Sequence, residues 1–366
     1  MDMVDAPELT SMTRRRTVRP LVAAWVFVFV MLTAGFIWLS LSTDDLPPGD
    51  DLGAPDQHNE VAATIQDIAI TSPVAQADDG QGDDPSPATD GGSAPEAAGL
   101  VRAPIDGLTM AGANGPLPVL GPDGMVAWKE YARPVENMDN RPKIAIIVTG
   151  VGLNARATEM AIKQLPGQVD LAFSPYGRRL QHWMDMSRAH GHEGFLMIPT
   201  EPLNYPENDP GPHTLLAGAS ARDNLKKLDW LLSRLTGYVG VVNEMGSKFT
   251  ASEEDVLPIL EDLNGRGLML LDSRSTRFSV AAKLARRISM PRAFNNLFID
   301  NSLSAEEISR NLTTLENTAR TYGTAVGVAR AFPLTIREIE KWTRQLEARG
   351  IQIVPVTAIA NRQPIR

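Results

Sequence analysis

The strongest constraint on the fold is a change of pattern at Lys143, where short apolar runs begin to alternate with amphipathic helical stretches. Such alternation is typical of βαβ units around a mostly parallel sheet. The candidate strands are KIAIIVT, VDLAFS, GFLMIP, YVGVVN, LMLLD, LFID, TAVGVA and IQIVPV. Seven or eight βα units favour a closed or nearly closed barrel over an open doubly wound sheet. The sequence therefore predicts an α/β fold, a distorted (β/α)7-8 barrel.

Polar residues stand where most of these strands end. In barrels of this kind the C-terminal ends of the strands meet at one mouth, and active sites collect there. The residues at these ends are Thr149, Ser174 to Tyr176, Thr200, Glu201, Asn243, Glu244, Asp272 to Arg274, Asp300, Asn301 and Arg330. Each one alone could be a helix cap or turn residue that closes a loop. Together at one mouth, they would suit a polar ligand rich in hydroxyl groups.

The N-terminal part contains an uncharged stretch that would fit a membrane. No charged residue occurs between Arg19 and Asp44, and the apolar run 21–41 would span about 31 Å as a helix. Arginines precede this run and acids follow it, which by the positive-inside rule places residues 1–19 in the cytoplasm. A cleaved signal peptide is the alternative, but the run is longer than a typical signal-peptide core. We therefore expect one transmembrane anchor at 20–43 in the inner membrane, with the C-terminal domain periplasmic.

Residues 44–138 are rich in Pro, Gly, Ala and Asp and poor in large apolar side chains. Such a segment buries too little apolar surface to offset its ordering entropy, which predicts a disordered acidic tether. The formal charge of -9 arises in this segment, so the folded domain predicted at 139–366 is close to neutral. Without a basic stripe interleaved with aromatic residues, nucleic acid is not an expected partner. The absence of Cys excludes a disulfide-stapled fold and a thiolate metal site.

The first predicted strand runs into a glycine pattern that formally fits a dinucleotide-binding loop. Gly150, Gly152 and Ala155 satisfy G-x-G-x-x-[GA] between a strand and a helix. That fingerprint also requires an acid at the end of the next strand, and here the strand ends in the sequence SPY. Glycines that form a tight turn are therefore the favoured interpretation, with a nucleotide site as the alternative.

Five segments, in this order and spacing, carry a family resemblance: KIAIIVTGVG, GHEGFLMIPTEP, VGVVNEMGSKFT, LDSRST and GTAVGVARAFP. Together they resemble the divergent polysaccharide deacetylase family, relatives of the NodB-type carbohydrate esterases, over about residues 141–360. The resemblance implies a distorted (β/α) barrel. It also implies metal-assisted hydrolysis of acetyl groups on a sugar polymer, with a divalent cation held by Asp and His.

The positions at which the family places its metal ligands and its titrating imidazole are changed in this sequence. The two aspartates after the first strand correspond to Thr149 and Gly150. The family's histidines correspond to Met197, Glu244 and Arg330. We therefore expect no cofactor, and a divalent metal, zinc, belongs only to the alternative in which hydrolysis persists.

Two functions of the domain remain open from the resemblance. In the first, it is a degenerate, metal-free module that binds a glycan, a peptidoglycan fragment or an envelope protein. In the second, it is an active carbohydrate deacetylase or hydrolase with altered catalytic residues. The candidate catalytic residues are Glu201, Glu244 and Asp272, and the candidate ligand-binding residues are Tyr176, Asn243, Ser247, Arg274 and Arg330.

Some of these residues suggest particular contacts. Glu201 and Arg274 could form an ion pair across the mouth, or they could hydrogen-bond a glycan. A sugar ring could stack on the flat face of Tyr176, Trp183 or Phe332. An arginine at position 330 in place of histidine predicts recognition of an anionic or carboxylated ligand.

Overall fold

The computed structural model describes residues 99–135 and 138–364, and parallel strands form the centre of this part of the chain. The strands are β1 (Thr109–Gly112), β2 (Gly115–Pro118), β3 (Lys143–Val151), β4 (Asp170–Phe173), β5 (Gly194–Thr200), β6 (Tyr238–Met245), β7 (Met269–Asp272), β8 (Arg292–Phe294), β9 (Leu297–Phe298), β10 (Thr324–Arg330) and β11 (Gln352–Ile353). The helices are α1 (Ala127–Glu130), α2 (Ala155–Gln164), α3 (Leu180–Ala189), α4 (Ala221–Leu232), α5 (Glu253–Gly265), α6 (Ala281–Arg287), α7 (Ala305–Tyr322) and α8 (Pro333–Leu346).

The strands of the central sheet pair in the order β8-β7-β6-β5-β4-β3-β10-β9, all parallel, and β11 pairs with β3. Only Asn295 and Asn296 separate β8 from β9. Both ends of the strand order therefore lie in one short segment, and the sheet closes into a barrel. The predicted α/β architecture, with parallel strands in a barrel-like sheet, is confirmed, although the pattern does not predict the three-residue strand β8.

Helices cover the outside of the barrel, so the strands are buried on both faces. All seven residues of β5 are buried, and Gly150 alone among the nine residues of β3 is not. This explains why the strands read as continuous apolar runs rather than as an alternation of apolar and polar residues.

Serine caps fix where three of the helices begin. Ser220, Ser252 and Ser304 each precede a helix and accept a hydrogen bond from the backbone N–H three residues later. Such a cap satisfies one of the N–H groups that the first helical turn leaves without a partner. These caps therefore set where the loops that follow β5, β6 and β9 end and the next helices begin.

Side-chain amides complete the hydrogen bonding where the barrel closes. The Asn296 N–H donates to the Val326 carbonyl at 2.9 Å, and Asn296 Oδ1 accepts the Val326 N–H at 2.8 Å. Gln363 Oε1 accepts the Phe294 N–H, and Gln363 Nε2 donates to the Phe294 carbonyl, both at 2.7 Å. Gln363 Nε2 also donates to Asn296 Oδ1 at 2.8 Å. We call Asn295, Asn296 and Gln363 the amide seam.

The amide seam also reaches the C-terminal end of β7. The Asn295 N–H donates to the Asp272 carbonyl at 2.8 Å, and Asn295 Nδ2 donates to the Ser273 carbonyl at 3.1 Å. The segment that closes the barrel is therefore bonded directly to the loop in which several candidate site residues lie.

Residues 99–135 pack against the barrel ahead of β3. Leu108 and Tyr131 are buried, and β1 and β2 form an antiparallel hairpin. The buried Arg188 on α3 donates from Nε to the Val101 carbonyl at 2.7 Å and from Nη1 to the Tyr131 carbonyl at 3.0 Å. The folded domain therefore begins before residue 139, and the last part of the expected tether is structured, because its few apolar residues find buried positions.

The expected membrane anchor at 20–43 and the tether residues 44–98 lie outside the described residues. Within residues 99–135 and 138–364, no helix combines the length and apolar character that crossing a bilayer requires.

Replacing Gln363 with Ala tests the amide seam. The change leaves the Phe294 N–H and carbonyl without their side-chain partner in a buried position, so we expect the free energy of unfolding to fall by about 1–3 kcal/mol. Urea denaturation of the full chain measures this loss. Gln168→Ala is the control, since Gln168 makes no hydrogen bond to a described residue. Equal effects of the two substitutions would contradict a role for Gln363 in closing the barrel.

Candidate functional site

One cleft of about 1590 Å³ opens at the C-terminal ends of the barrel strands. Its inner part, which we call the mouth, is lined by Thr149, Gly150, Met197, Asn243, Glu244, Ser273, Asp300 and Arg330, with Phe332 beside them. Its outer part, which we call the α2–α8 groove, is lined by Arg156, Glu159, Met160, Lys163, Gln164, Arg337 and Glu340. Polar strand ends thus meet on one face, as the barrel prediction requires.

The end of β3 is shaped by a glycine turn. The register with β4 shifts between Val148 and Val151, and Gly150 has a φ of 78° in the left-handed region. The Gly150 N–H donates to the Sδ atom of Met197 at 3.1 Å. Thr149 Oγ1 donates to the Ala329 carbonyl at 2.9 Å, so its hydroxyl ties β3 to β10. Glycine is needed here for backbone conformation, in agreement with the tight-turn interpretation.

Asn243 holds the loop after β7 in place. Its Nδ2 donates to the Met245 carbonyl at 2.8 Å, and its Oδ1 accepts the Ser273 N–H at 2.8 Å. Ser273 lines the mouth, while its Oγ is buried and has no hydrogen-bond partner among the described residues. A buried hydroxyl without a partner is rare because it loses its bonds to water.

Glu244 brings an acidic group into the mouth. Its side chain makes no hydrogen bond or ion pair with any described residue, although its backbone carbonyl accepts from Thr200 Oγ1 at 2.9 Å. Burial raises the pKa of Glu244 from its ordinary value of 4.5 to about 7. At neutral pH this carboxyl group is therefore divided between its protonated and ionised forms, and it can donate or accept a hydrogen bond.

Arg330 is held at the edge of the mouth by Asp300. The guanidinium lies with Nε 3.5 Å from Asp300 Oδ1 and donates from Nη2 to the Asp300 carbonyl. Asp300 Oδ2 accepts the Arg330 N–H and the Thr335 hydroxyl, each at 3.0 Å. The guanidinium also lies 4.9 Å from the centre of the Phe332 ring. The Arg330 side chain remains 51% exposed, so part of its donor fork is available to a ligand.

Glu201 does not line the cleft, and its carboxylate is occupied. Its Oε1 accepts from Lys248 Nζ at 2.6 Å, and its Oε2 accepts the Ala217 N–H at 2.7 Å. The ion pair between Glu201 and Arg274, one of the two alternatives raised by the sequence, is therefore not formed, because Lys248 pairs with Glu201 instead. Arg274 instead lies 3.7 Å over the ring of Phe294.

Asp272 is buried and outside the cleft, where it organises the loop between β7 and α6. It accepts from the Arg274 N–H at 2.9 Å, from Ser279 Oγ at 2.8 Å and from the Ala282 N–H at 3.3 Å. Burial raises the pKa of Asp272 although these hydrogen bonds oppose the shift. Its position makes it a support of the loop rather than a wall of the mouth.

Tyr176 and Ser247 also stabilise loops outside the cleft. The Tyr176 hydroxyl accepts the His213 N–H at 3.1 Å, and Ser247 Oγ accepts the Leu203 N–H at 3.0 Å. Trp183 is buried in the core. Of the three aromatic residues considered for stacking, Phe332 is the one that lines the cleft, and it is 36% exposed.

Among the described residues, no group of three or more His, Asp or Glu side chains is placed to hold a metal ion. The donors at the five positions implied by the resemblance are a hydroxyl bonded to a carbonyl, a glycine, a thioether, one carboxyl group and a guanidinium. This set does not fit a divalent metal, because a single carboxylate beside a fixed cation binds such an ion weakly.

The α2–α8 groove could not be predicted from the sequence. Its residues recur every three or four positions along each helix, the spacing of an ordinary solvent-facing stripe. Only the packing of α2 beside α8 turns two such stripes into the walls of one groove. The Met197 contact with Gly150 was likewise not predictable, since it depends on the glycine turn.

Comparisons with known proteins agree with the geometry. The family model described as divergent polysaccharide deacetylase matches residues 146–360. A solved structure of an uncharacterized protein from Agrobacterium tumefaciens C58 is 41% identical, with a TM-score of 0.65, and the match covers 67% of this chain and 99% of that chain.

Two curated relatives are more distant. An uncharacterized protein of Haemophilus influenzae is 24% identical over 213 residues, 58% of this chain and 74% of its own length. Uncharacterized protein YibQ of Escherichia coli is 21% identical over 224 residues, 61% of this chain and 69% of its own length.

Replacing Glu244 with Gln tests its raised pKa. The unfolded chain releases this proton near 4.5 and the folded chain near 7, so the contribution of Glu244 to stability falls as pH rises through this range. Glutamine has no charge to bury, so at pH 8 we expect E244Q to be more stable than the wild type by roughly 1 kcal/mol. At pH 5 the two should be similar. Urea denaturation at both pH values measures this, and a pH-independent difference would argue against the shift.

Proposed function

The chain belongs to the divergent polysaccharide deacetylase family, and from this membership we propose that its mouth binds a cell-envelope carbohydrate without metal-dependent deacetylation. One observation carries the proposal. The five positions at which the family resemblance places metal ligands or an imidazole all line the mouth, and none holds an aspartate or a histidine. They are Thr149, Gly150, Met197, Glu244 and Arg330.

Metal-assisted hydrolysis needs several anionic or imidazole ligands that leave one coordination position open. In the mouth, the Met197 thioether already accepts the Gly150 N–H, and Arg330 adds a positive charge. No step of the proposed function passes through a metal, because these residues do not fit one.

The same residues are suited to hold a sugar. The Glu244 carboxyl group has no partner among the described residues, and a sugar hydroxyl can donate to it or accept from it. Arg330 offers guanidinium N–H groups to an anionic substituent, such as a lactyl or peptide carboxylate of a peptidoglycan fragment. Phe332 adds a partly exposed apolar ring beside Arg330, against which a sugar face can pack.

Glu244 favours a second candidate function, a hydrolase with altered catalytic residues. A carboxyl group whose pKa lies near 7 can serve as a general acid or base at neutral pH. The other two candidate acids, Glu201 and Asp272, lie outside the cleft and are engaged in hydrogen bonds within the protein. Glu244 would have to act without them, and for this reason binding is the primary proposal.

Binding to purified full-length protein tests the primary proposal. We expect a solubilised peptidoglycan fragment that carries its lactyl carboxylate to bind saturably in calorimetry, and Arg330→Ala to weaken binding by about fivefold or more. Arg277→Ala is the matched control, because Arg277 also lies over a phenylalanine ring, at 4.6 Å, but outside the cleft.

Acetate release is measured in the same samples, with and without added Zn²⁺, Co²⁺ or Mn²⁺. Release that Glu244→Gln abolishes would establish the hydrolase instead, and metal-stimulated release would overturn the conclusion that the mouth does not fit a metal. Absence of saturable binding would reject the carbohydrate-binding function.

We also propose, on the sequence pattern, that residues 20–43 anchor the chain in the inner membrane with the C-terminal domain in the periplasm. A reporter enzyme that folds only outside the cytoplasm, fused after Arg366, should be active with the full chain. It should lose activity when 20–43 is deleted, and an active cytoplasmic reporter at the same position would contradict the proposal. In that location an envelope protein is a further candidate partner.

A further inference from the structure

The cleft does not end at the mouth. The α2–α8 groove continues it over the outside of the barrel, and the whole space of about 1590 Å³ exceeds the roughly 300–1,000 Å³ of pockets that enclose one small molecule. The mouth alone has the groups that one sugar unit needs. The remaining length would therefore be used by a ligand that extends beyond that unit.

The charges in the groove are unevenly paired. Glu159 and Lys163 form an ion pair on α2 at 2.6 Å, and Glu340 pairs with Arg344 on α8. These pairs, each four residues apart on one helix, neutralise the acids that line the groove.

Two arginines of the groove keep an unpaired positive charge. Arg156, in the first turn of α2, is exposed and makes no ion pair or hydrogen bond with a described residue. Arg337, in the second turn of α8, is exposed and unpaired in the same sense. The groove therefore has a positive charge on each wall, and its inner end opens at Arg330.

The spacing of these arginines follows from the fold. Because β3 and β10 pair side by side, α2 and α8, which follow them, pack as neighbours and begin at the same end of the barrel. Arg337 follows Arg330 by seven residues and α8 begins between them, so the two cations lie in succession from the mouth outward. Apolar contact area is supplied by Met160 on α2 and by Phe332.

We propose that the α2–α8 groove is an extension site for a linear oligosaccharide that carries a carboxylate on successive repeating units. The first unit occupies the mouth at Arg330, and the following units lie between Arg156 and Arg337. This inference rests on the proposed function, since it names the class of carbohydrate that the same cleft takes. Each unpaired arginine can form an ion pair with one carboxylate, so a chain that carries a carboxylate on successive units can bind several arginines at once. A single small anion can pair with only one arginine.

The experiment compares ligands of two lengths on the purified full chain. Digalacturonate and hexagalacturonate are the carboxylated probes, and N-acetylchitohexaose is an uncharged probe of the longer length. Glycan strands of peptidoglycan freed of peptide, which carry lactyl carboxylates, distinguish that source of carboxylate from a uronic acid. We expect at least one carboxylated hexamer or longer strand to bind about tenfold tighter than its disaccharide, and the uncharged hexamer to show no comparable gain.

The variant Arg156→Ala/Arg337→Ala should remove most of that gain, weakening the long ligand by about three- to tenfold and the disaccharide, of which only one unit reaches the groove, by less. Arg222→Ala/Lys341→Ala is the matched control. It also removes two exposed positive charges on α4 and α8 that are unpaired within the described residues, but neither lines the cleft. A loss of long-chain affinity in the control equal to that in the groove variant would overturn the inference, because net charge alone would then explain it.

Failure of the inference and failure of the proposed function give different results. If long and short carboxylated ligands bind equally and Arg330→Ala weakens both, the mouth binds carbohydrate and the groove has no part in it. If neither length binds, the proposed function itself is rejected.

Discussion

Closure of the barrel by side-chain amides is the interaction on which the rest of the structure depends. The chain pairs with β7 along β8 and with β10 along β9, and only two residues separate these two strands. A backbone that changes partner so abruptly cannot keep every hydrogen bond between strands. Asn296 and Gln363 supply the missing donors and acceptors. Asn295 joins the seam to the carbonyl of Ser273, so the position of the mouth is fixed by the same bonds that close the sheet.

The candidate residues at the strand ends fall into two groups, those that support loops and those that face the cleft. Glu201 holds the loop after β6 through Lys248, and Asp272 accepts hydrogen bonds from the loop that leads into α6. These acids are explained by loop architecture alone. Glu244 and Arg330, where the pattern is changed, face open space and are available to a ligand.

Much of the fold could be predicted from the sequence because each parallel strand is buried on both faces and reads as an uninterrupted apolar run. The strand β8 escaped prediction because it has only three residues, too few to form a recognisable apolar run. Residues 99–135 escaped because their Pro- and Gly-rich composition resembles the preceding tether, and Arg188, which anchors them, is distant in sequence. The sequence places all three candidate acids at strand ends. It does not show which of them faces the cleft, because that depends on partners in the loops, such as Lys248 for Glu201.

The glycine turn at the end of β3 affects which substitutions the mouth can accept. A carboxylate at position 150 would belong to a side chain in the left-handed region, which costs roughly 1 kcal/mol. An acid at 149 would lose the bond from the Thr149 hydroxyl to Ala329, and a histidine at 330 would leave the buried Asp300 without its cation. Each single substitution toward a metal-binding set is therefore unfavourable by itself, and the benefit would come only after several were combined. The mouth is thus stable against stepwise substitution toward a metal site.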